Sequence, residues 1–144
     1  MKRRSLAKAN SRGFSLVELL LSVAIIGIMS ALIISSVSNA ARDSRTVMAR
    51  QQQVVLQQAL NSWIAAASSG TNSMASTQTA YGNAATATAK LALLRDYLQD
   101  STYAQFLSNS TTSQIRSEAM ISIGAYLQFS AWNATNYPTV QMIQ

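Results

Sequence analysis

The chain has 144 residues, with 11 Lys plus Arg against 5 Asp plus Glu and a formal net charge of +6, a balance that would suit a small nucleic-acid binder. It contains no Cys and no His, so thiolate or imidazole metal ligands, disulfides and the commonest general base are missing, which argues against an enzyme. With 49% hydrophobic but only 11% charged residues, the composition predicts one small domain attached to something apolar.

The basicity is concentrated at the start. Lys2, Arg3, Arg4, Lys8 and Arg12 lie within residues 1–13 and no acid accompanies them, whereas the remainder carries six bases against five acids, a net of +1. From Phe14 to Val37 follow 24 residues whose only ionisable side chain is Glu18. At ~1.5 Å per residue such a helix crosses a ~30 Å hydrocarbon core. Basic residues on the N-terminal flank favour a cytoplasmic N-terminus, although Arg42, Arg45 and Arg50 beyond the span reduce the asymmetry. Two ordinary readings of this segment stay open on residue content alone. A secretory signal peptide has small residues at Ser38-Asn39-Ala40 for cleavage before Ala41, but its apolar core is ~7 to 15 residues, shorter than this one. An uncleaved anchor accounts for the length yet leaves Glu18 in hydrocarbon at a cost of ~2.5 to 3.5 kcal/mol.

A third reading comes from the junction Gly13-Phe14-Ser15-Leu16-Val17-Glu18-Leu19-Leu20. A short basic leader, Gly, Phe, three residues, Glu and a long apolar helix together resemble the N-terminus of type IV pilins and of type II secretion pseudopilins. The resemblance covers roughly residues 10–40. It implies that a membrane-embedded prepilin peptidase cuts between Gly13 and Phe14 and methylates the new Phe14 amine. It also implies that Glu18 pairs with the Phe14 amine of a neighbouring subunit during polymerisation. The chemistry is coherent: cleavage creates a positive amine one helical turn before Glu18, and a carboxylate early in a helix is favoured by the helix dipole. Gly27 costs ~1 kcal/mol relative to Ala inside a helix, marking a close-packing point or a place where the helix loosens in the fibre. Many family members place a proline some eight residues further on, where this chain has Ser35-Ser36.

Beyond the apolar run no Pro or Gly interrupts the chain until Gly70, so the helix is expected to continue to Ala67, 54 residues and ~80 Å from Phe14. On the helical wheel Met48, Val55, Leu56, Ala59, Trp63 and Ala66 form the stripe expected to pack against a head, interrupted by Gln52. Arg50, Gln53, Gln57 and Asn61 are expected to face away, with Val54 and Ile64 off the stripe. Ser68 to Thr88 turns to Ser, Thr, Asn, Ala and Gly and reads as a surface loop. A helix is predicted over Lys90–Gln99 on Leu91, Leu94 and Leu98, and an amphipathic piece over Tyr103–Leu107. A break follows at Asn109–Ser113. Alternation from Met120 to Ser130 predicts a strand with Ile121, Ile123, Ala125, Leu127 and Phe129 on one face. A turn over Ala131–Pro138 and a short strand over Thr139–Ile143 complete the chain.

The predicted class is α+β: a long N-terminal helix packed against a small head of short helices and an antiparallel sheet, the arrangement that the pilin resemblance also implies. The expected organisation is a leader at 1–13, a membrane and polymerisation helix at 14–37, its amphipathic continuation at 38–67 and a head at 68–144. Asp96 and Asp100, read as i, i+4 on one helix, make a solvated face rather than a calcium site, and no metal or cofactor is expected. The late aromatics Tyr97, Tyr103, Phe106, Tyr126, Phe129, Trp132 and Tyr137 read mostly as core, and nucleic-acid binding is disfavoured because few cations lie near them. Asn109-Ser110-Thr111 and Asn133-Ala134-Thr135 are glycosylation sequons by pattern alone. The functional expectation is a non-enzymatic subunit of a type IV pilus-like filament. Its implied partners are further copies of itself, the prepilin peptidase, an inner-membrane assembly platform with its ATPase, and the bilayer before assembly. It would sit in the inner membrane with the head in the periplasm, then in a surface filament. A secretion pseudopilin and a non-polymerising membrane-tethered binding module are the alternatives.

Overall fold

The computed structural model describes residues 14–69 and 72–144; the expected leader 1–13, including Gly13, and the expected helix-stop Gly70 lie outside the described residues. The elements in chain order are α1 (Leu16–Ala67), α2 (Met74–Asn83), α3 (Ala87–Leu93), a 3-10 turn (Arg95–Tyr97), α4 (Asp100–Asn109), α5 (Glu118–Ile123), β1 (Tyr126–Phe129) and β2 (Val140–Ile143). A long N-terminal helix, short helices and a two-stranded antiparallel sheet give the α+β class read from the sequence. The chain divides into two compact units, Met1–Asn39 and Ala40–Gln144, and α1 contributes residues to both.

In the first unit every residue from Phe14 to Val37 is exposed, aliphatic side chains included. A helix apolar on all sides has no single face to bury within its own chain. Ser22 and Ser30 do not interrupt this surface, because their hydroxyls donate to the carbonyls of Glu18 and Ile26 at 2.8 and 2.7 Å. Hydroxyls satisfied one turn back make no demand on water.

In the second unit the core runs along Ala49, Leu56, Ala59, Leu60, Trp63 and Ile64 of α1 and is closed by Tyr81, Leu91, Leu94, Leu98, Phe106, Ile115, Met120, Leu127 and Val140. The expected stripe is therefore turned around the helix. Met48 and Val55 are 53% and 44% exposed and Ala66 is exposed, whereas Leu60 and Ile64 are buried. Gln53 and Gln57 do not face away: Gln53 Nε2 donates to the Val140 carbonyl at 2.8 Å, and Gln57 Oε1 accepts the Val140 N–H at 2.7 Å. The physical reason is that glutamine amides can satisfy a buried backbone, so the packed face of α1 includes polar residues that a hydrophobicity count assigns to solvent.

Two further segments differ from expectation. The Ser/Thr/Ala stretch predicted as a loop contains α2, opened by a reciprocal cap in which Ser73 Oγ accepts the Ser76 N–H at 3.2 Å and Ser76 Oγ accepts the Ser73 N–H at 3.1 Å. Such caps start helices that propensity alone would not. The predicted strand from Met120 is instead α5 followed by β1. Ser117 caps α5 by accepting the Met120 N–H, and Gly124 closes it with φ +73°, the left-handed conformation that favours glycine. Met120 is buried while Ile121 is 51% exposed, the reverse of the alternating pattern. The predicted helix over Lys90–Gln99 starts earlier, at the Thr86 cap, and ends at Leu93; Leu91, Leu94 and Leu98 are all buried as expected.

The sheet pairs Tyr126, Leu127, Gln128 and Phe129 with Ile143, Met142, Gln141 and Val140. On the other side of β1, Ile115 and Leu127 exchange both backbone hydrogen bonds, at 2.9 and 2.8 Å. The break predicted at Asn109–Ser113 begins at Ser110, because Asn109 closes α4, and the turn over Ala131–Pro138 falls where the composition placed it.

Candidate functional site

Phe14 and Ser15 precede α1, and the Ser15 carbonyl accepts the Leu19 N–H at 3.1 Å, opening the helical ladder. Phe14 is 80% exposed, and Glu18 sits in the first turn of α1, where unpaired backbone N–H groups favour a negative charge. No described side chain pairs with the Glu18 carboxylate. Glu18 is thus the single ionisable group on an exposed apolar helical surface running to Val37. This helix is long and apolar enough to cross a membrane. Gly27 is helical, and a Cβ built on it meets nothing within 4 Å, so among the described residues nothing packs against its missing side chain.

The head is seated on α1 by polar contacts that sequence reasoning missed. Besides the Gln53 and Gln57 pair on Val140, Gln52 Oε1 accepts from the buried Ser117 hydroxyl at 2.6 Å, and Ser117 Oγ in turn caps α5. Two glutamines one turn apart, meeting both the N–H and the C=O of one residue, take the place of a neighbouring strand along β2. The signal was available: Gln53 and Gln57 are i, i+4, spaced to reach the N–H and C=O of one residue from one helix face.

Tyr81, placed by sequence in a loop, is the centre of an aromatic chain. Its ring lies 6.3 Å from Trp63 and 5.8 Å from Trp132, and Trp132 is 5.8 Å from Tyr137. Its hydroxyl donates to the Ser130 carbonyl at 2.8 Å, and burial pushes the phenol well above its ordinary pKa. The head's three cations lie against rings: Lys90 over Tyr81 at 4.8 Å, Arg95 over Tyr103 at 5.8 Å and Arg116 over Tyr126 at 6.0 Å. Asp96 and Asp100 do not share a helix, since Asp96 is in the 3-10 turn and Asp100 opens α4; both are exposed. Among the described residues no group of three His, Cys, Asp or Glu is placed to hold a metal.

Among known proteins, residues 8–34 match the family model described as the prokaryotic N-terminal methylation motif. No curated protein and no solved structure matches the chain. The match spans Gly13, Phe14, Glu18 and Gly27. Through residues 8–34 the chain carries the N-terminal methylation signal of type IV pilin and pseudopilin precursors.

Proposed function

We propose that this chain is the precursor of a structural subunit of a type IV pilus-like filament. The observation that carries the reading is the methylation motif laid over an exposed apolar segment, Phe14 to Val37 and helical from Leu16, whose one charge is Glu18. The leader 1–13 holds the N-terminus in the cytoplasm, residues 14–37 cross the inner membrane, and 38–67 carry the head, 68–144, in the periplasm. A prepilin peptidase cuts between Gly13 and Phe14 and methylates the Phe14 amine. Cutting converts a peptide nitrogen into a cation, and methylation leaves that charge in place.

Glu18 of one subunit then pairs with the Phe14 amine of the next as the assembly platform and its ATPase draw subunits from the bilayer. An unpaired carboxylate in hydrocarbon costs at least ~2.5 to 3.5 kcal/mol, and removing one partner of a buried pair costs about 3 to 5 kcal/mol. A subunit added out of register would expose both groups, so the pair sets the axial step. The test is co-expression of the full chain with a complete assembly system, followed by electron microscopy with labelled antibody. The proposal expects filaments containing this chain, and filaments lost in Glu18→Ala despite normal cleavage. Processed chain that stays in the membrane and never polymerises would establish a tethered module instead.

A further inference from the structure

The second unit carries exposed charges of both signs. The head's cations are held against rings, which leaves Asp96, Asp100 and Glu118 exposed without a described cation partner; of these, Asp100 lies on a ridge with apolar neighbours. On α1, Arg50 is exposed and lines a shallow groove of about 530 Å³ with Val47, Gln51, Val54 and Val55. Val47, Arg50 and Val54, at i, i+3 and i+7, present one aliphatic stripe with a cation at its middle. The head offers the matching ridge: Asp100, Ala104 and Leu107, at i, i+4 and i+7 of α4, are all exposed on a face that the buried Phe106 does not share. Tyr97, 40% exposed, precedes it. Arg95 adjoins this ridge but lies against Tyr103.

We infer that the α1 groove at Val47, Arg50 and Val54 is the seat for the Asp100, Ala104 and Leu107 ridge of a second copy of this chain. The occupant is fixed by complementarity in two respects, cation to carboxylate and aliphatic to aliphatic. Each copy carries one groove and one ridge on different surfaces, so the contact is head-to-tail, the kind that propagates into an open helical polymer. This interface rests on the filament reading and adds to it a contact outside the apolar helix.

The natural chain has no cysteine, so introduced thiols report only the intended contact. The experiment uses full-length chain with Val54→Cys and Leu107→Cys, assembled into filaments, sheared, and oxidised or joined with a short thiol-reactive linker. The expected result is a ladder of linked subunits, with monomers only for either single substitution and for Val54→Cys paired with Ile121→Cys. Independently, Arg50→Asp and Asp100→Arg should each lower filament yield about tenfold at unchanged levels of processed chain, and the double exchange should recover most of it. Filaments that form normally but give no ladder from the Val54 and Leu107 pair, or a double exchange no better than its singles, overturn the interface while leaving the subunit reading intact. A wild-type chain that never polymerises overturns both.

Discussion

Replacing Gln57 by Ala removes the acceptor for the Val140 N–H. Val140 is only 4% exposed, and its N–H meets Gln57 Oε1 at 2.7 Å, so the truncation strands a buried donor that water reaches poorly. A stranded buried polar group costs ~1 to 3 kcal/mol, which in a unit of about this size lowers the thermal midpoint by roughly 5 to 15 °C. Gln58→Ala is the control: Gln58 is exposed, and a surface change of this kind stays within ~0.5 kcal/mol. The assay is thermal unfolding of the full chain in detergent, followed through the near-ultraviolet signal of Trp63 on α1 and Trp132 in the head. Equal midpoints for the two variants would refute the reasoning and return Gln57 to the solvent-facing role assigned by the helical wheel.

Gly124→Ala meets no atom within 4 Å, so its cost is the φ of +73° alone, ~1 to 2 kcal/mol, seen as a lower midpoint in the same unfolding assay. Tyr81→Phe leaves the Ser130 carbonyl without its donor and lowers stability by ~1 kcal/mol at neutral pH, checked by denaturant titration. Because burial raises the Tyr81 pKa, the unfolded chain loses this proton first. The stability it contributes is therefore complete below the unfolded value of ~10 and falls with rising pH by ~1.4 kcal/mol per unit, a slope that Tyr81→Phe lacks in alkaline unfolding. Glu18→Ala should be cleaved normally yet fall out of wild-type filaments in mixed expression; full-yield incorporation, measured by mass spectrometry of sheared fibres, would contradict the register role.

The long helix was legible because nothing between Phe14 and Ala67 breaks it except a lone glycine, and the junction was legible because its charges and apolar run are contiguous in sequence. The phase of α1 was not legible. Leu56, Ala59 and Trp63 were placed correctly, but Gln53 and Gln57 earn their interior position through one residue of a strand more than eighty positions away. The same limit applies to α2 and α5. The Ser and Thr content of α2 signals a loop locally and the alternation in α5 a strand, and only the Ser73 and Ser117 caps, with Tyr81 and Met120 turned inward, make them helices. Alternation over Met120–Ser130 misled because a six-residue helix ending at a glycine can imitate the start of a strand.

The +6 of the whole chain is a +5 leader joined to a remainder of +1, and the account's central claim is that the leader is cut away. Mass spectrometry of the mature N-terminus tests this most directly. The account predicts a chain beginning at Phe14 with a methyl group on its amine. A mature chain beginning at Ala41, or one that retains Met1 in the presence of prepilin peptidase, would contradict it.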